Sequence, residues 1–509
     1  MSGIDLARTL PSAALVGSLA LVTATGCTSG SAARFEPVQP ELFAAGGALT
    51  NAWADYDGDG DADLFVGFNG GGNRLYRNDG GTFAEVAAGA GVADTRPTRA
   101  AAWTDADGDG DADLIIGFTP ADGPVLKLYA NDGGRFTDIA ADRGLSADSG
   151  TVRQISGVDV DGDGDIDVFV AFRDRANALF RNDGGVFREV AAELGLDDTR
   201  HTVGAVWFDA DDDGDLDLYA ANMDGDANGF FRNDDGHFTD VADAMGLAWG
   251  GRTPDDPDNG TVRPCAADVD NDGRLDLFTA NYGPNGLFLN RSTGFDDVSA
   301  ERGVAIDSRY DTCAFADYDG DGLLDVYVNG TVTGGTSYAD HLYRNTGARF
   351  EEATPAELAA FDGDHGAQWA DFDGDGDLDL ALAAAGADRP HPLLRNTGPH
   401  ADGSASLLVM ALDSAGRPVL AGATVRVLEA GTGRVIATRL IDSGSGYNSQ
   451  NLLPVHFGLA GAGSVDVEVV RPLGGERVAA RLEGIDPAGL ESRVLTLRVA
   501  RSGAVERVR

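Results

Sequence analysis

The stretch Asp55-Tyr56-Asp57-Gly58-Asp59-Gly60-Asp61-Ala62-Asp63-Leu64-Phe65-Val66-Gly67-Phe68 decides the fold. Its first nine residues set aspartates at positions 1, 3, 5, 7 and 9 around a glycine at position 6, and the apolar run that follows reads as a β-strand. The same D-x-D-x-D-G-x-x-D phrase starts again at Asp105, Asp159, Asp209, Asp268, Asp317 and Asp371. Successive starts lie 49 to 59 residues apart, the period of a chain built from repeats.

The spacing inside each copy is that of a calcium loop, in which alternate positions offer oxygen ligands. The candidate ligands in the first three copies are Asp55, Asp57, Asp59, Asp61 and Asp63; Asp105, Asp107, Asp109, Asp111 and Asp113; and Asp159, Asp161, Asp163, Asp165 and Asp167. The fourth and fifth offer Asp209, Asp211, Asp213, Asp215 and Asp217, then Asp268, Asp270, Asp272, Arg274 and Asp276. The last two offer Asp317, Asp319, Asp321, Leu323 and Asp325, then Asp371, Asp373, Asp375, Asp377 and Asp379. Positions 1, 3, 5 and 9 never vary, whereas position 7 becomes Arg274 and Leu323, so position 7 is expected to ligate through its backbone carbonyl. Without a cation, four carboxylates in one turn repel one another and raise each other's pKa. A single copy could be a solvated acidic turn; seven in register favour up to seven Ca²⁺. An EF-hand is excluded, because position 12 of the first copy is Val66 rather than glutamate.

A second phrase follows each loop. It reads Leu75-Tyr76-Arg77-Asn78-Asp79-Gly80-Gly81-Thr82-Phe83-Ala84-Glu85-Val86 in the first repeat and Leu179-Phe180-Arg181-Asn182-Asp183-Gly184-Gly185-Val186-Phe187-Arg188-Glu189-Val190 in the third. Asn-Asp-Gly-Gly between apolar-aromatic runs is hairpin chemistry. Two hairpins per repeat make four strands, one propeller blade. Trp53, Trp103, Trp207 and Trp369 each stand two residues before a loop and are expected to pack between blades. The seventh repeat stops at Leu393-Leu394-Arg395-Asn396-Thr397-Gly398 without its last strand, and Arg34-Phe35-Glu36-Pro37-Val38 supplies a matching phrase at the other end. Pairing the two would close a ring of seven blades. Beyond it, Leu407–Leu412, Ala423–Glu429, Val465–Val470 and Val494–Val499 read as strands of a small sandwich.

The loop–strand unit resembles the FG-GAP/VCBS repeat family, whose propellers are similar to the head of integrin α subunits. Residues 406–480 resemble the ASPIC/UnbV domain, through Gly422-Ala423-Thr424-Val425-Arg426-Val427, Ser443-Gly444-Ser445-Gly446-Tyr447-Asn448-Ser449-Gln450, His456-Phe457-Gly458-Leu459 and Val465-Asp466-Val467-Glu468-Val469. Together they look like the cartilage acidic protein family and its bacterial relatives, with Arg471 standing where the family has Trp-Pro. The resemblance implies an all-β chain: a seven-bladed, integrin-α-like propeller followed by a β-rich domain. It implies calcium binding and exposure outside the cell more than any task.

The chain carries a formal charge of −45. The acidity belongs to the propeller, since basic and acidic residues nearly balance after residue 400. Such a chain does not bind nucleic acid through bulk electrostatics. Arg8, the apolar stretch from Ala13 to Val22 and Ala24-Thr25-Gly26-Cys27 resemble a bacterial lipoprotein signal. The expected organisation is a signal at 1–26, a tether at 27–33 with Cys27 acylated, the propeller at 34–400 and the second domain at 401–509. A freely secreted protein is the alternative; on either reading, contact with a membrane is through a lipid anchor alone. Millimolar calcium outside cells would fill even weak sites. Cys265 and Cys313 fall on neighbouring blades and are expected to be two buried free thiols, with a disulfide as the other possibility.

Arg99, Arg153, His201, Arg263, Arg309 and His365 precede successive calcium loops by five to eight residues, which places them toward the face away from the metals. They form a candidate cationic ring for an anionic ligand, or are ordinary solvated side chains. No H-E-x-x-H, G-x-S-x-G or phosphate-cradling motif is found. The expected function is a non-enzymatic, calcium-stabilised adhesion or interaction module, its ligand an acidic glycan or a protein. A polysaccharide-processing enzyme on a propeller scaffold and a structural scaffold of the cell envelope remain as alternatives.

Overall fold

The computed structural model describes residues 34–508 apart from 121–122, 255–257, 362–364, 399–404, 460 and 491–492. The expected leader and tether, with Cys27, lie outside the described residues. No helix among the described residues is long and apolar enough to cross a membrane.

The structure is a seven-bladed propeller carrying a β-sandwich. Blade 1 runs Ala48–Ala54, Asp63–Phe68, Arg74–Asn78 and Phe83–Glu85, each strand antiparallel to the next. The aspartate loop joins the first two strands and the Asn-Asp-Gly-Gly turn joins the last two, as hairpin chemistry requires. Blades 2 to 6 repeat this plan. Blade 7 is closed by both ends of the propeller: Phe35–Val38 pairs with Leu393–Asn396, so Phe35 faces Asn396 and Pro37 faces Leu394. As an outer edge, that strand tolerates a proline that lacks an N–H.

The tryptophans cement neighbouring blades. Trp103 Nε1 donates to Ala52 O of blade 1 at 3.2 Å, and Trp369 Nε1 donates to Ala314 O of blade 6 at 3.3 Å. After the outer strand, a four-residue helix in blades 1 to 5 ends in a left-handed glycine, which in blades 1, 2, 3 and 5 is pressed on the next blade. A Cβ on Gly144 would stand 2.6 Å from Phe187 O, so glycine is required there for both conformation and space.

Blades 5 and 6 are joined more tightly than the rest. Strand Asp276–Pro284 overruns its blade to pair with Asp307–Ala316 through Tyr282 and Arg309, Gly283 and Ser308, and Pro284 and Asp307. Cys265 and Cys313 form a disulfide between the innermost strands of these blades, Cα atoms 6.3 Å apart. This corrects the expectation of free thiols. The ring brings adjacent inner strands side by side, a closeness that spacing along the chain does not reveal.

The C-terminal strands form two four-stranded sheets, one ordered Val455–Gly458, Ser406–Asp413, Val494–Val499, Val505–Arg507 and the other Val435–Leu440, Thr424–Glu429, Val465–Pro472, Arg477–Ile485. Leu407, Val409, Val425, Val467, Leu495 and Leu497 fill the space between them, and Ile166 from the third loop of the propeller joins that core.

The sandwich sends residues 442–453 into the channel of the propeller. Ser449–Gln450 pairs in parallel with Ala101–Ala102 of blade 2, and Leu452 N donates to Trp53 O of blade 1 at 2.9 Å. Ser443 Oγ donates to Trp207 O of blade 4, and Gln368 Nε2 of blade 7 donates to Ser449 Oγ at 2.8 Å. Tyr447 is 2% exposed among Val203, Met223 and Val262. Ser443-Gly444-Ser445-Gly446 suits this course: a Cβ on Gly444 would meet Ala205 O at 2.6 Å.

Candidate metal centres

Every aspartate loop begins where an innermost strand ends, so all seven lie at one end of the propeller. Positions 4 and 6 both take left-handed φ, at 75° for Gly58 and 100° for Gly60. In the fourth and fifth loops position 4 is Asp212 and Asn271, residues that tolerate this region better than other side chains. The resulting turn aims backbone N–H groups at its own carboxylates. The N–H of position 6 donates to position 1 at 3.0–3.2 Å in blades 1, 2, 3, 5, 6 and 7. The N–H of position 7 donates to position 5 at 2.8–3.0 Å in all seven.

Position 9 is the anchor. Asp63 is fully buried and accepts from Tyr56 N at 3.1 Å and from Asn78 N at 2.8 Å. The asparagine of each second phrase repeats the latter bond, from Asn131, Asn182, Asn233, Asn290, Asn345 and Asn396. In every blade but the fourth its side chain then reaches into the preceding blade: Asn131 Nδ2 donates to Tyr56 O at 2.7 Å, and Asn78 closes the circle on Phe372 O at 2.7 Å. Outside blade 4 the asparagine therefore links aspartate loop to blade seam, a role that its turn chemistry alone concealed.

Positions 1, 3 and 9 come together as Asp55, Asp57 and Asp63; Asp105, Asp107 and Asp113; Asp159, Asp161 and Asp167; and Asp268, Asp270 and Asp276, each group with oxygens within 4.8 Å of one another. In the fourth loop the group is Asp209, Asp211 and Asp213. The oxygens left over by the backbone bonds face inward. Asp159, Asp317 and Asp371 at position 1, and Asp107, Asp270 and Asp319 at position 3, each bury an Oδ1 with no hydrogen-bond partner. A buried carboxylate oxygen without a donor is costly unless a cation meets it. Burial first, then neighbouring aspartates, pushes Asp63 and Asp276 up to about 8 and Asp159 and Asp371 to about 7. The donor set of hard carboxylate oxygens fits a divalent cation of the calcium type.

Position 7 is more than a bystander. Asp61 Oδ2 accepts from Gly80 N at 2.7 Å and Asp165 Oδ2 from Gly184 N at 3.0 Å, stapling the loop to the neighbouring turn. Arg274 reaches the same turn by donating to Asn290 O at 2.9 Å. The side chain of position 7 therefore has a role apart from ligation, and its variation reflects several ways of touching one turn.

The sandwich lies over these loops with basic side chains. Arg477 approaches Asp209 at 3.2 Å and Asp212 at 2.6 Å, and Arg417 donates to Gly164 O at 3.0 Å. Arg426 donates to Gly273 O at 3.1 Å, and His456 Nε2 meets Gly376 O at 2.9 Å.

The six cationic candidates sit at the other end of the channel. Arg99, Arg153, Arg263 and Arg309 lie on the innermost strands themselves, with His201 and His365 just before two others. Arg263 is 1% exposed, donates to Gln154 and faces Asp442 of the inserted segment, which leaves it no open surface. His201 pairs with Asp226 at 2.9 Å and His365 with Asp311 at 2.5 Å. Arg99, Arg153 and Arg309 surround Tyr447 and Tyr282.

Comparison with known proteins agrees with the repeats. The FG-GAP-like repeat matches residues 55–116, 159–220, 209–279, 268–328 and 331–382. Cartilage acidic protein 1 of Xenopus tropicalis is 28% identical over 379 residues, 68% of this chain and 56% of that protein. Its Homo sapiens counterpart is 28% identical over 383 residues, 68% of this chain and 55% of that protein. The chain thus spans about half the length of the curated relatives it matches. Among solved structures, an Agrocybe aegerita lectin specific for non-reducing terminal N-acetylglucosamine superposes with a TM-score of 0.38 at 18% identity, covering 69% of this chain and 90% of that one. That superposition is too loose to carry an argument. The matched repeats cover more than half of the sequence and fall on successive blades with their aspartate loops, and the chain belongs to the FG-GAP-like repeat family.

Proposed function

We propose that the protein is an exported calcium-binding propeller that acts as a non-enzymatic adhesion or interaction module, holding an acidic glycan or a protein outside the cell or at its envelope. In each loop, the carboxylates of positions 1, 3 and 9, the adjacent position 5 and the carbonyl of position 7 would hold the ion. The ion supplies positive charge that the −45 chain lacks and ties both ends of a loop to one point. Asparagine at the end of the third strand carries that order into the next blade, so calcium at seven loops stiffens the whole ring. Cys27 would tether the chain through an acyl group, or the chain is released after cleavage.

The observation that carries this reading is the set of buried, partnerless oxygens at positions 1 and 3 facing a common point in a repeated loop. Melting of calcium-saturated protein against protein in excess chelator tests it. A ligand bound only by the folded state adds about 2.7 kcal/mol per site at a hundredfold excess over Kd. A steep fall in melting temperature on chelation is expected; coincident melts, with metal removal verified, would overturn the proposal.

A further inference from the structure

The channel mouth away from the metal loops gathers Arg99, Arg153 and Arg309 near a single buried carboxylate, Asp311, that is already paired with His365. In blades 2 and 3 the register slips at the entry of the innermost strand, between Thr98 and Ala100 and between Val152 and Gln154. The residues left over by these bulges are Arg99 and Arg153, and a bulge re-aims its side chain. Arg99 Nη1 comes within 3.5 Å of the Tyr447 hydroxyl, and the Arg153 guanidinium lies 5.8 Å from the Tyr447 ring. Arg309 stands 5.0 Å over Tyr282, which packs in the same cluster as Tyr447. Across the channel, His365 is 5.1 Å from the Tyr447 ring and bonded to Asp311.

Three guanidiniums converge in a chain with 83 acidic residues, yet among the described residues none of the three forms an ion pair. Arg153 is 6% exposed, and its Nε is buried without any hydrogen bond. Burial first, and Arg153 close by, hold the Arg99 guanidinium below its ordinary value against the opposing pull of Tyr447 and Asp311. Asp311 is the nearby carboxylate that acts on Arg99, and it is already bonded to His365. A buried guanidinium without a direct ion pair costs free energy that a bound oxyanion would offset, and the planar fork suits a carboxylate.

We propose that Arg99, Arg153 and Arg309, with Tyr447 from the inserted segment, form a binding site for the carboxylate of an acidic saccharide such as a uronate. The sugar is favoured over a protein by the surroundings. His365, held by the buried Asp311, can hydrogen-bond a hydroxyl group beside the carboxylate. The exposed large apolar side chains of the described residues are Val186, Val332 and Val508 alone, which offer little anchorage for a protein hot spot. Tyr447 makes the site composite: the propeller supplies the charge, and the sandwich supplies the floor. The site deepens the interaction-module reading and rests on it.

Titration calorimetry of the calcium-saturated full chain with a galacturonic-acid oligomer tests the site, alongside a neutral galactose oligomer, an acidic peptide and sodium sulfate. The acidic oligomer is expected to bind, weakening with salt, and the neutral one to give no heat. Arg153→Gln should weaken binding at least tenfold, while Arg188→Gln on an outer strand leaves it unchanged. If Arg153→Gln lowers the melting temperature, Arg309→Gln serves in its place, since that side chain is less deeply buried. Equal affinity for both oligomers, equal affinity in the Arg153 and Arg188 variants, or binding of the peptide or sulfate alone would each overturn the assignment. Failure of the oligomer to bind a protein whose melting responds to calcium sinks this site only. A protein that binds the oligomer through Arg153 but melts identically in chelator sinks the calcium reading only.

Discussion

Gln450 and Gly157 are joined by two reciprocal hydrogen bonds: Gly157 N donates to Gln450 Oε1 at 2.7 Å, and Gln450 Nε2 donates to Gly157 O at 2.9 Å. The amide of a side chain from the sandwich thus completes the backbone bonding of the innermost strand of blade 3. Gly157 has room for no more, since a Cβ there would meet Ile166 and Thr104 within 3.2 Å. Gln450→Ala should leave a buried N–H and C=O without partners, at a cost of about 2 kcal/mol or more. Because the lost bonds lie between domains, protease cleavage within residues 442–453 should accelerate along with the fall in melting temperature. A variant that melts lower without faster cleavage there would place the effect within a domain rather than at the insertion.

Much of this architecture is legible in the sequence because the repeated elements are local. A nine-residue loop carries its own turn glycines, and a hairpin carries its own Asn-Asp-Gly-Gly, so both can be read without knowing what they touch. Phe35–Val38 was assignable to blade 7 because it supplied the one phrase the last repeat lacked. The rest depends on contacts between distant residues. The Cys265–Cys313 bond requires adjacent inner strands to run side by side. The second role of Asn78, reaching Phe372 O across the ring seam, cannot be seen within one repeat. Nothing in Ser443-Gly444-Ser445-Gly446-Tyr447 announces a channel, although a run of small residues before one aromatic is what a narrow passage admits.

The disulfide should matter in proportion to the chain it closes. It spans 48 residues of blades 5 and 6. By the chain-entropy account, its loss should cost about 2–4 kcal/mol. Replacing both Cys265 and Cys313 with alanine should lower the melting temperature while calorimetry still counts the same number of calcium ions. The overrunning strand pair of Tyr282 and Arg309 keeps the two blades aligned without the bond. Loss of calcium stoichiometry in the double variant would show that the bond shapes the fifth and sixth loops.

The aspartate loops should also set a pH dependence that reverses with calcium. In calcium-free protein, burial raises the carboxyl of Asp63 to about 8 and that of Asp159 to about 7, well above an unfolded aspartate. The folded state therefore binds more protons than the unfolded one across this interval, and stability falls as pH rises. The contribution is complete below about pH 4 and gone above about pH 8. In chelator, melting temperature should decline between pH 5 and 8. With saturating calcium the ion replaces the protons, and the decline should flatten or invert, because acid now displaces a ligand. A chelated protein that becomes more stable over this pH range would contradict the burial of these carboxyls.

Within one loop, Asp57 and Asp61 separate ligation from scaffolding. Asp57 stands with Asp55 and Asp63 in a group whose oxygens lie within 4.8 Å of one another, whereas Asp61 accepts its bond from Gly80. Asp57→Ala should remove one calcium ion from the stoichiometry measured by calorimetry. Asp61→Ala should keep the full count, since the backbone carbonyl of position 7 survives the substitution. It should still lose about 1 kcal/mol with the staple to the turn. Asp61→Asn retains an acceptor for Gly80 and should restore that stability without changing the count. If Asp61→Ala also removed an ion, the side chain of position 7 would be a ligand, and the presence of Arg274 and Leu323 there would mark the fifth and sixth loops as the weakest of the seven.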